Sequence, residues 1–88
     1  MMTRFGSWLR DGQSFVNIRK VSPDGVLEEI YIYDFDENLR LRAATRADGA
    51  RHLDDHWQLT GIVQSSLTER AVETREVERA RWNSKLVP

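Results

Sequence analysis

Apolar and polar residues alternate along much of the first two thirds of the chain, which is the pattern of β-strands with one buried face. In the segment LRLRAATR, Leu39 and Leu41 are predicted to face one side of a strand and the intervening arginines the other. In HWQLTGIVQSSL, the same alternation places Trp57, Leu59 and Val63 on one face. LEEIYIYDF adds a stretch rich in Ile and Tyr, which suit a pleated surface. The pattern predicts a protein built mainly of strands.

Short polar segments separate these stretches, and each carries a turn signal. Asp11-Gly12 lies between the apolar-rich halves of GSWLRDGQSFVNIRKV and predicts a hairpin, because Gly accepts a positive φ and Asp can bond its own backbone. Further reversals are predicted at four places: Pro-Asp-Gly at 23–25, DEN at 36–38, ADGA at 47–50 and Asp54-Asp55. Short strands at such regular spacing are typical of a sandwich, a jelly roll or a barrel.

The segment from Leu67 to Trp82 is ambiguous on its own. Its Glu, Arg and Ala content favours a helix, and the spacing from Val77 to Ala80 suits a helical stripe. The spacing from Ala80 to Trp82 suits a strand instead. Local propensity alone predicts a helix here.

Length and charge narrow the class of protein. The chain has 88 residues, of which 40% are hydrophobic, and a net charge of -1. A chain of this length predicts one domain with a thin core and no large enclosed active site. The near-neutral charge argues against nucleic-acid binding. The absence of cysteine excludes disulfides and thiolate metal sites. No apolar run approaches the roughly 18–20 residues of a membrane span, so we expect a cytosolic protein or a domain cut from a longer chain.

Asp34, Asp36 and Asn38 alternate as in the first half of a calcium loop. Such a loop also needs Gly at its sixth position and Glu at its twelfth, and Leu39 and Thr45 stand there instead. A solvated acidic turn is therefore the favoured interpretation.

His52 and His56 are the other candidate for a metal site. They flank the predicted turn at Asp54-Asp55, and no third ligand is obvious, so an incidental pair is the favoured interpretation. Ser65 and Ser66 lack the glycines of a nucleophile elbow. The sequence therefore predicts a protein without catalytic residues, bound metal or cofactor.

The arginines allow two interpretations. Two sets share strand parity and could form basic stripes suited to phosphate-bearing ligands. Interleaved glutamates neutralise much of the second set, which favours a solvated face. The sets are Arg40, Arg42 and Arg46, and Arg75, Arg79 and Arg81.

Three segments, GSWLRDGQSFVNIRKV, IYIYDFDENLRLR and ARWNSKL, make the chain resemble the periplasmic domain of the LptF/LptG family of lipopolysaccharide-export permeases. Within that family the LptG type is the more similar. The similarity runs from about Phe5 to Pro88 and rests on a Trp-x-x-Asp-Gly…Phe-x-x-Ile pattern with a closing Trp and Leu. The matching positions are Trp8, Asp11, Gly12, Phe15, Ile18, Trp82 and Leu86.

The resemblance implies an all-β domain at 5–86, an open, groove-containing jellyroll like those of LptA and LptC. It implies that the domain lies on the periplasmic face of the Gram-negative inner membrane, between transmembrane helices of a longer permease. There it would help to pass lipopolysaccharide to a bridge of jellyrolls, with an LptF-type permease and LptC-type jellyrolls as partners. ATP hydrolysis would belong to a separate cytoplasmic subunit. The resemblance also implies strands for much of the segment from Leu67 to Trp82.

Apolar strand residues are then candidates for a lipid-binding groove, and each also suits an ordinary core position. An alternative function is a docking module that pairs with other jellyrolls and binds no lipid. The two differ in whether the interior is open or is filled by Trp8, Phe15, Phe35 and Trp57. The groove candidates are Val16, Ile18, Ile30, Ile32, Leu39, Leu41, Leu59 and Val63.

Overall fold

Six antiparallel strands follow one another in chain order across a single open sheet in the computed structural model, which describes residues 6–86. The prediction of an all-β, jellyroll-like fold is confirmed. β1 and β6 form the two edges of the sheet. The strands are β1 (Ser7–Asp11), β2 (Ser14–Val21), β3 (Leu27–Phe35), β4 (Leu41–Leu53), β5 (His56–Leu67) and β6 (Val72–Trp82).

Two of the predicted hairpins have two-residue loops. Asp11 pairs with Ser14 at the end of β1, and Gly12 in the loop has a φ of 64°. Leu53 pairs with His56 across the predicted turn at Asp54-Asp55. Both turn predictions are confirmed, and the loops fix which residues face each other along the flanking strands.

Leu39 lies in a turn, so its predicted place on a strand beside Leu41 is wrong. The Asp36 carboxylate accepts hydrogen bonds from the backbone N–H groups of Asn38 (2.8 Å) and Arg40 (3.0 Å). These bonds, led by the one from Arg40, lower the pKa of Asp36. Because the side chain holds the loop in this way, β4 begins at Leu41 and Leu39 is left 77% exposed with a φ of 61°.

The predicted turn at 47–50 is also wrong, because β4 continues through it without a break. Asp48-Gly49 lies instead on a line of backbone distortion that runs across the sheet. We call this line the crease. The flanking pairs place Asp48 level with Glu29 of β3 and with Gly61 of β5, and Gly61 level with Glu78 of β6, and the ladder skips all of these positions. Glu29 and Gly61 both have a positive φ, of 57° and 61°.

The crease changes which residues share a face. In a regular strand, side chains three apart point to opposite faces. Across the crease they point to the same face, because the distortion adds one residue to the alternation while the pairing register is kept. The apolar pairs that share the inner face in this way are Leu27 and Ile30, Ala47 and Ala50, Leu59 and Ile62, and Val77 and Ala80.

Val63 illustrates the consequence. The sequence predicts that it shares a face with Leu59. In the structure it lies on the outer face, where it pairs with Arg46 and Glu76 and is only half buried. Ile62 takes the inner position instead. The alternation predicted from the sequence fails at this point because it assumes a strand without the crease.

The core lies on the inner face, where strands far apart in the sheet contribute to one cluster. Val16 of β2, Ile30 of β3 and Trp57 of β5 are fully buried there, and Ala80 and Trp82 of β6 pack against them. The sheet is therefore curled, with this face concave. The tail is a strand from Val72 to Trp82, as the resemblance implied and against its helix propensity.

We expect Gly61→Ala to destabilise the protein by about 3 kcal/mol. A residue with a Cβ pays about 1–2 kcal/mol at this positive φ, and the new Cβ would also lie 2.7 Å from Cγ of Asp48. Gly12→Ala is the matched control, since Gly12 has a similar φ of 64° and nothing within 4 Å of an added Cβ. Urea unfolding of both variants gives the comparison. Equal losses would show that the contact at the crease contributes nothing.

Candidate functional site

A groove of about 620 Å³ lies along the concave face. Its floor comes from the middle and end of the sheet, where Ile32, Ile62 and Val77 line it on β3, β5 and β6. Asp11 of the first hairpin and Lys85, which follows β6, line it from the two edges. Because the floor is apolar and the space above it is unfilled, the groove can bury an apolar ligand.

Residues 83–86 connect the two edges of the sheet. The backbone N–H of Lys85 donates to the Asp11 carboxylate at 3.4 Å. The indole Nε1–H of Trp57 donates to the carbonyl oxygen of Leu86 at 2.9 Å. Leu86 packs against the core, as does Leu9 of β1. The segment therefore ties β6 to β1 without extending the sheet.

The floor of the groove is apolar toward one end, where Arg81, Asn83 and Lys85 also line the open volume. Trp57 and Trp82 pair across β5 and β6 with ring centroids 6.1 Å apart. His52 meets the edge of the Trp57 ring at 5.0 Å. We call inward side chains that lie opposite one another on neighbouring strands a row. The next two rows across β5 and β6 are also apolar: Leu59 with Ala80, and then Ile62 with Val77.

The groove is polar toward the other end. In the row beyond Ile62, Thr45, Gln64 and Arg75 lie side by side on β4, β5 and β6. Gln64 Nε2 donates to the Thr45 hydroxyl at 3.0 Å, and Arg75 Nη2 donates to Gln64 Oε1 at 3.2 Å. On β2 and β3, Ser14 is hydrogen-bonded to Asp34. The change from apolar to polar side chains takes place within one row.

Five of the eight predicted groove residues lie buried on the concave face, and Ile32 and Leu59 also line the open volume. Leu41 is half buried opposite Phe35, at a shift in register. Leu39 and Val63 lie elsewhere, as described above. Contact of any of them with lipid stays a prediction. The five are Val16, Ile18, Ile30, Ile32 and Leu59.

The aromatic residues that were considered as a filling of the interior lie mostly on the outer face. Trp8 stacks on Tyr33 at 6.0 Å and is 60% exposed. Phe15 meets Phe35 at 5.7 Å and is 40% exposed. Trp57 alone of the four considered is part of the core cluster. Trp8 and Phe15 therefore do not fill the interior.

The crease also explains the groove residues that the sequence did not predict. Ile62, Gln64, Val77 and Ala80 line the groove, and none was a candidate. The signal in the sequence is the three-residue spacing from Val77 to Ala80, which is also typical of a helix. The three arginines of β6 share parity in sequence but not a face, since Arg75 and Arg79 lie on either side of the crease.

The two histidines do not form a metal site with other ligands. By register His52 faces the same side as Trp57, and His56 faces the other side with Leu53. His56 Nδ1 lies 2.9 Å from Asp55 Oδ1, and this hydrogen bond lowers the pKa of Asp55. Within residues 6–86 there is no group of three or more side chains suited to holding a metal ion.

Among the described residues there is also no helix long and apolar enough to cross a membrane.

An open, curled antiparallel sheet with an unfilled apolar concave face defines a jellyroll-like β-domain. The chain belongs to the family of the lipopolysaccharide export system permease LptF/LptG, whose sequence model matches residues 2–88. This is a family of permeases and not of enzymes.

Two relatives carry the same description. The chain is 33% identical over 91 residues to the lipopolysaccharide export system permease protein LptG of Escherichia coli K12, covering 100% of this chain and 25% of that protein. It is 32% identical over 85 residues to LptG of Haemophilus influenzae, covering 94% of this chain and 24% of that protein. The predicted similarity to LptG is thus confirmed. The chain spans about a quarter of the length of the curated relatives it matches.

We expect Trp57→Phe to loosen the segment 83–86, because it removes the hydrogen bond to Leu86. A bond worth about 1 kcal/mol corresponds to a roughly fivefold increase in local opening. Amide hydrogen exchange at Lys85 and Leu86, followed by NMR, measures this. Trp82→Phe is the control, since it deletes the same atoms from the neighbouring ring and leaves the Trp57 bond in place. Equal acceleration in both variants would contradict the assigned role of the bond.

Proposed function

We propose that this chain is the periplasmic β-domain of a lipopolysaccharide-export permease, and that its groove receives lipid acyl chains as lipopolysaccharide passes from the inner membrane to a periplasmic bridge. The observation that carries the proposal is the unfilled groove on the concave face, whose apolar floor includes Ile62 and Val77. Family membership supplies the class of cargo.

The size and lining of the groove suit such a cargo. A volume of about 620 Å³ falls within the roughly 300–1,000 Å³ of known ligand pockets. Each methylene group moved from water to the floor gains about 0.8 kcal/mol. Because the groove is only partly enclosed, an acyl chain can enter and leave it without unfolding of the domain. Transient binding of that kind is what a transport path requires.

The length of its relatives supports a place for the domain within a longer permease. They are about four times as long as this chain, and we infer that the domain is inserted between transmembrane helices of such a permease, at 5–86. Its lower limit, Phe5, lies outside the described residues. In this arrangement ATP is hydrolysed by a separate cytoplasmic subunit, and the partners are an LptF-type permease and LptC-type jellyrolls.

A docking role without lipid is the second candidate function, and the edge strand β6 favours it. β6 is 11 residues long, and most of its side chains are exposed. An uncovered edge of this length offers a row of backbone groups to another sheet. Pairing of an LptC-type jellyroll there would give the domain a structural role even if the partner carried the lipid.

Photocrosslinking in the complete, ATP-supplied transporter distinguishes the two roles. A photoreactive residue replaces Val77, which lines the groove, or Val63, which is equally half buried on the outer face. We expect lipopolysaccharide adducts at position 77 and at least tenfold fewer at 63, because acyl chains contact the apolar floor.

Adducts at neither position, while an LptF-type partner labels strongly, would overturn the lipid-binding role and leave the docking role. Equal labelling at both positions would mean that the lipid does not use the concave face selectively.

A further inference from the structure

An arginine enters the groove at the boundary between its apolar and polar halves. Arg75 lies on β6 next to Gln64 of β5, and both line the open volume. We propose that Arg75 binds the anionic headgroup of an acylated ligand, whose chain extends along the groove toward Trp57 and Trp82. The proposal rests on the proposed function and adds to it the residue that orients the ligand.

The Arg75 guanidinium is positioned by two neighbouring strands. Gln64 Nε2 donates to the hydroxyl of Thr45, which is buried, and this leaves Gln64 Oε1 directed at Arg75. The reverse amide orientation would set two donors against each other. Arg75 uses one of its five N–H donors in this bond, and others can be offered to an oxyanion in bidentate geometry.

Three cations of the described residues have carboxylate partners, whereas Arg75 and Lys85, which both line the groove, have none. Lys20 is paired with Glu28, Arg46 with Asp48, and Arg81 approaches Asp55 at 3.9 Å. Arg75 forms no ion pair with any carboxylate of residues 6–86. Its charge is therefore available to a ligand.

The side chains on either side of Arg75 give the ligand a direction. Toward one end of β6 the next inward residues are Val77, Ala80 and Trp82, and toward the other end comes Glu73, opposite Ser66. From Arg75 to Trp82 the strand rises about 23 Å at roughly 3.3 Å per residue. One leaflet of a bilayer core is about 15 Å thick, so an acyl chain fits within this length with its headgroup at Arg75.

The chemistry recognised is an oxyanion attached to an acyl chain. A phosphorylated glycolipid and a free fatty acid both supply it, the first with a phosphate and the second with a carboxylate. The outward Arg79, four residues further along β6 and beyond the crease, shares the charge and the strand but not the groove. It provides a matched control.

The test uses the 88-residue chain and three probes whose chains each have about twelve carbons: dodecyl phosphate, dodecanoate and uncharged monolaurin. NMR titration follows the methyl groups of Ile62 and Val77 for the chain and the Nε–H of Arg75 for the headgroup. We expect Arg75→Gln to weaken binding of an anionic probe about tenfold or more. Monolaurin binding should stay within about twofold, and Arg79→Gln should leave all three unchanged.

The two anionic probes identify the source of the headgroup. A loss confined to dodecyl phosphate assigns the site to phosphorylated lipids, a loss confined to dodecanoate assigns it to fatty acids, and a loss with both assigns it to either oxyanion. Unchanged anionic binding in Arg75→Gln, or an equal loss of monolaurin, would overturn the proposal while leaving the groove as a lipid site.

Two further results are decisive. If no probe shifts the Ile62 and Val77 methyl groups in the unaltered chain, lipid binding in the groove fails, and the headgroup role fails with it.

An inward-pointing charge on an edge strand can also serve to block unwanted sheet pairing. In that case Arg75→Gln would self-associate in size-exclusion chromatography with anionic binding intact, and the proposal would be wrong.

Discussion

The concave apolar face depends on the crease, where Glu29 and Gly61 take up positive φ on either side of Asp48. A meander of long strands with strict alternation would be a gently twisted sheet. Here the line of distortion crosses β3 to β6, and inward residues on its two sides are three apart. The sheet can therefore bend sharply and still keep apolar side chains inside along its whole length.

This bend leaves the groove and the core as parts of the same surface. Val16 of β2 and Ile30 of β3 are fully buried, while Ile62 and Val77 also border open space. The inward side chains of β5 and β6 cover the floor of the curl and leave the volume above it unfilled. The segment 83–86 stabilises the open form instead, by joining Asp11 to Trp57 through two hydrogen bonds. The open groove thus depends on the curvature of the sheet and on the contacts of this segment together.

Strand identity could be predicted from the sequence, and strand faces could not be predicted throughout. The turn at Asp54-Asp55 and the buried alternation of Ile30 with Ile32 follow from local chemistry. The predicted strand position of Leu39 is wrong because hydrogen bonds to the Asp36 side chain hold residues 36–40 in a turn, although their sequence alternates like a strand. Val63 was misplaced because the crease depends on contacts between strands, of which Asp48 over Gly61 is one, and no single segment encodes them.

β6 is both a wall of the groove and an edge of the sheet, so the lipid-binding and docking roles need not exclude each other. A strand paired to β6 continues the rows that end at Val77 and Arg75, because side chains directly opposite in a ladder share a face. A partner with apolar residues opposite Val77 would lengthen the apolar floor, whereas one with polar residues there would end it. In this arrangement the register of docking decides whether an acyl chain can pass to the next domain.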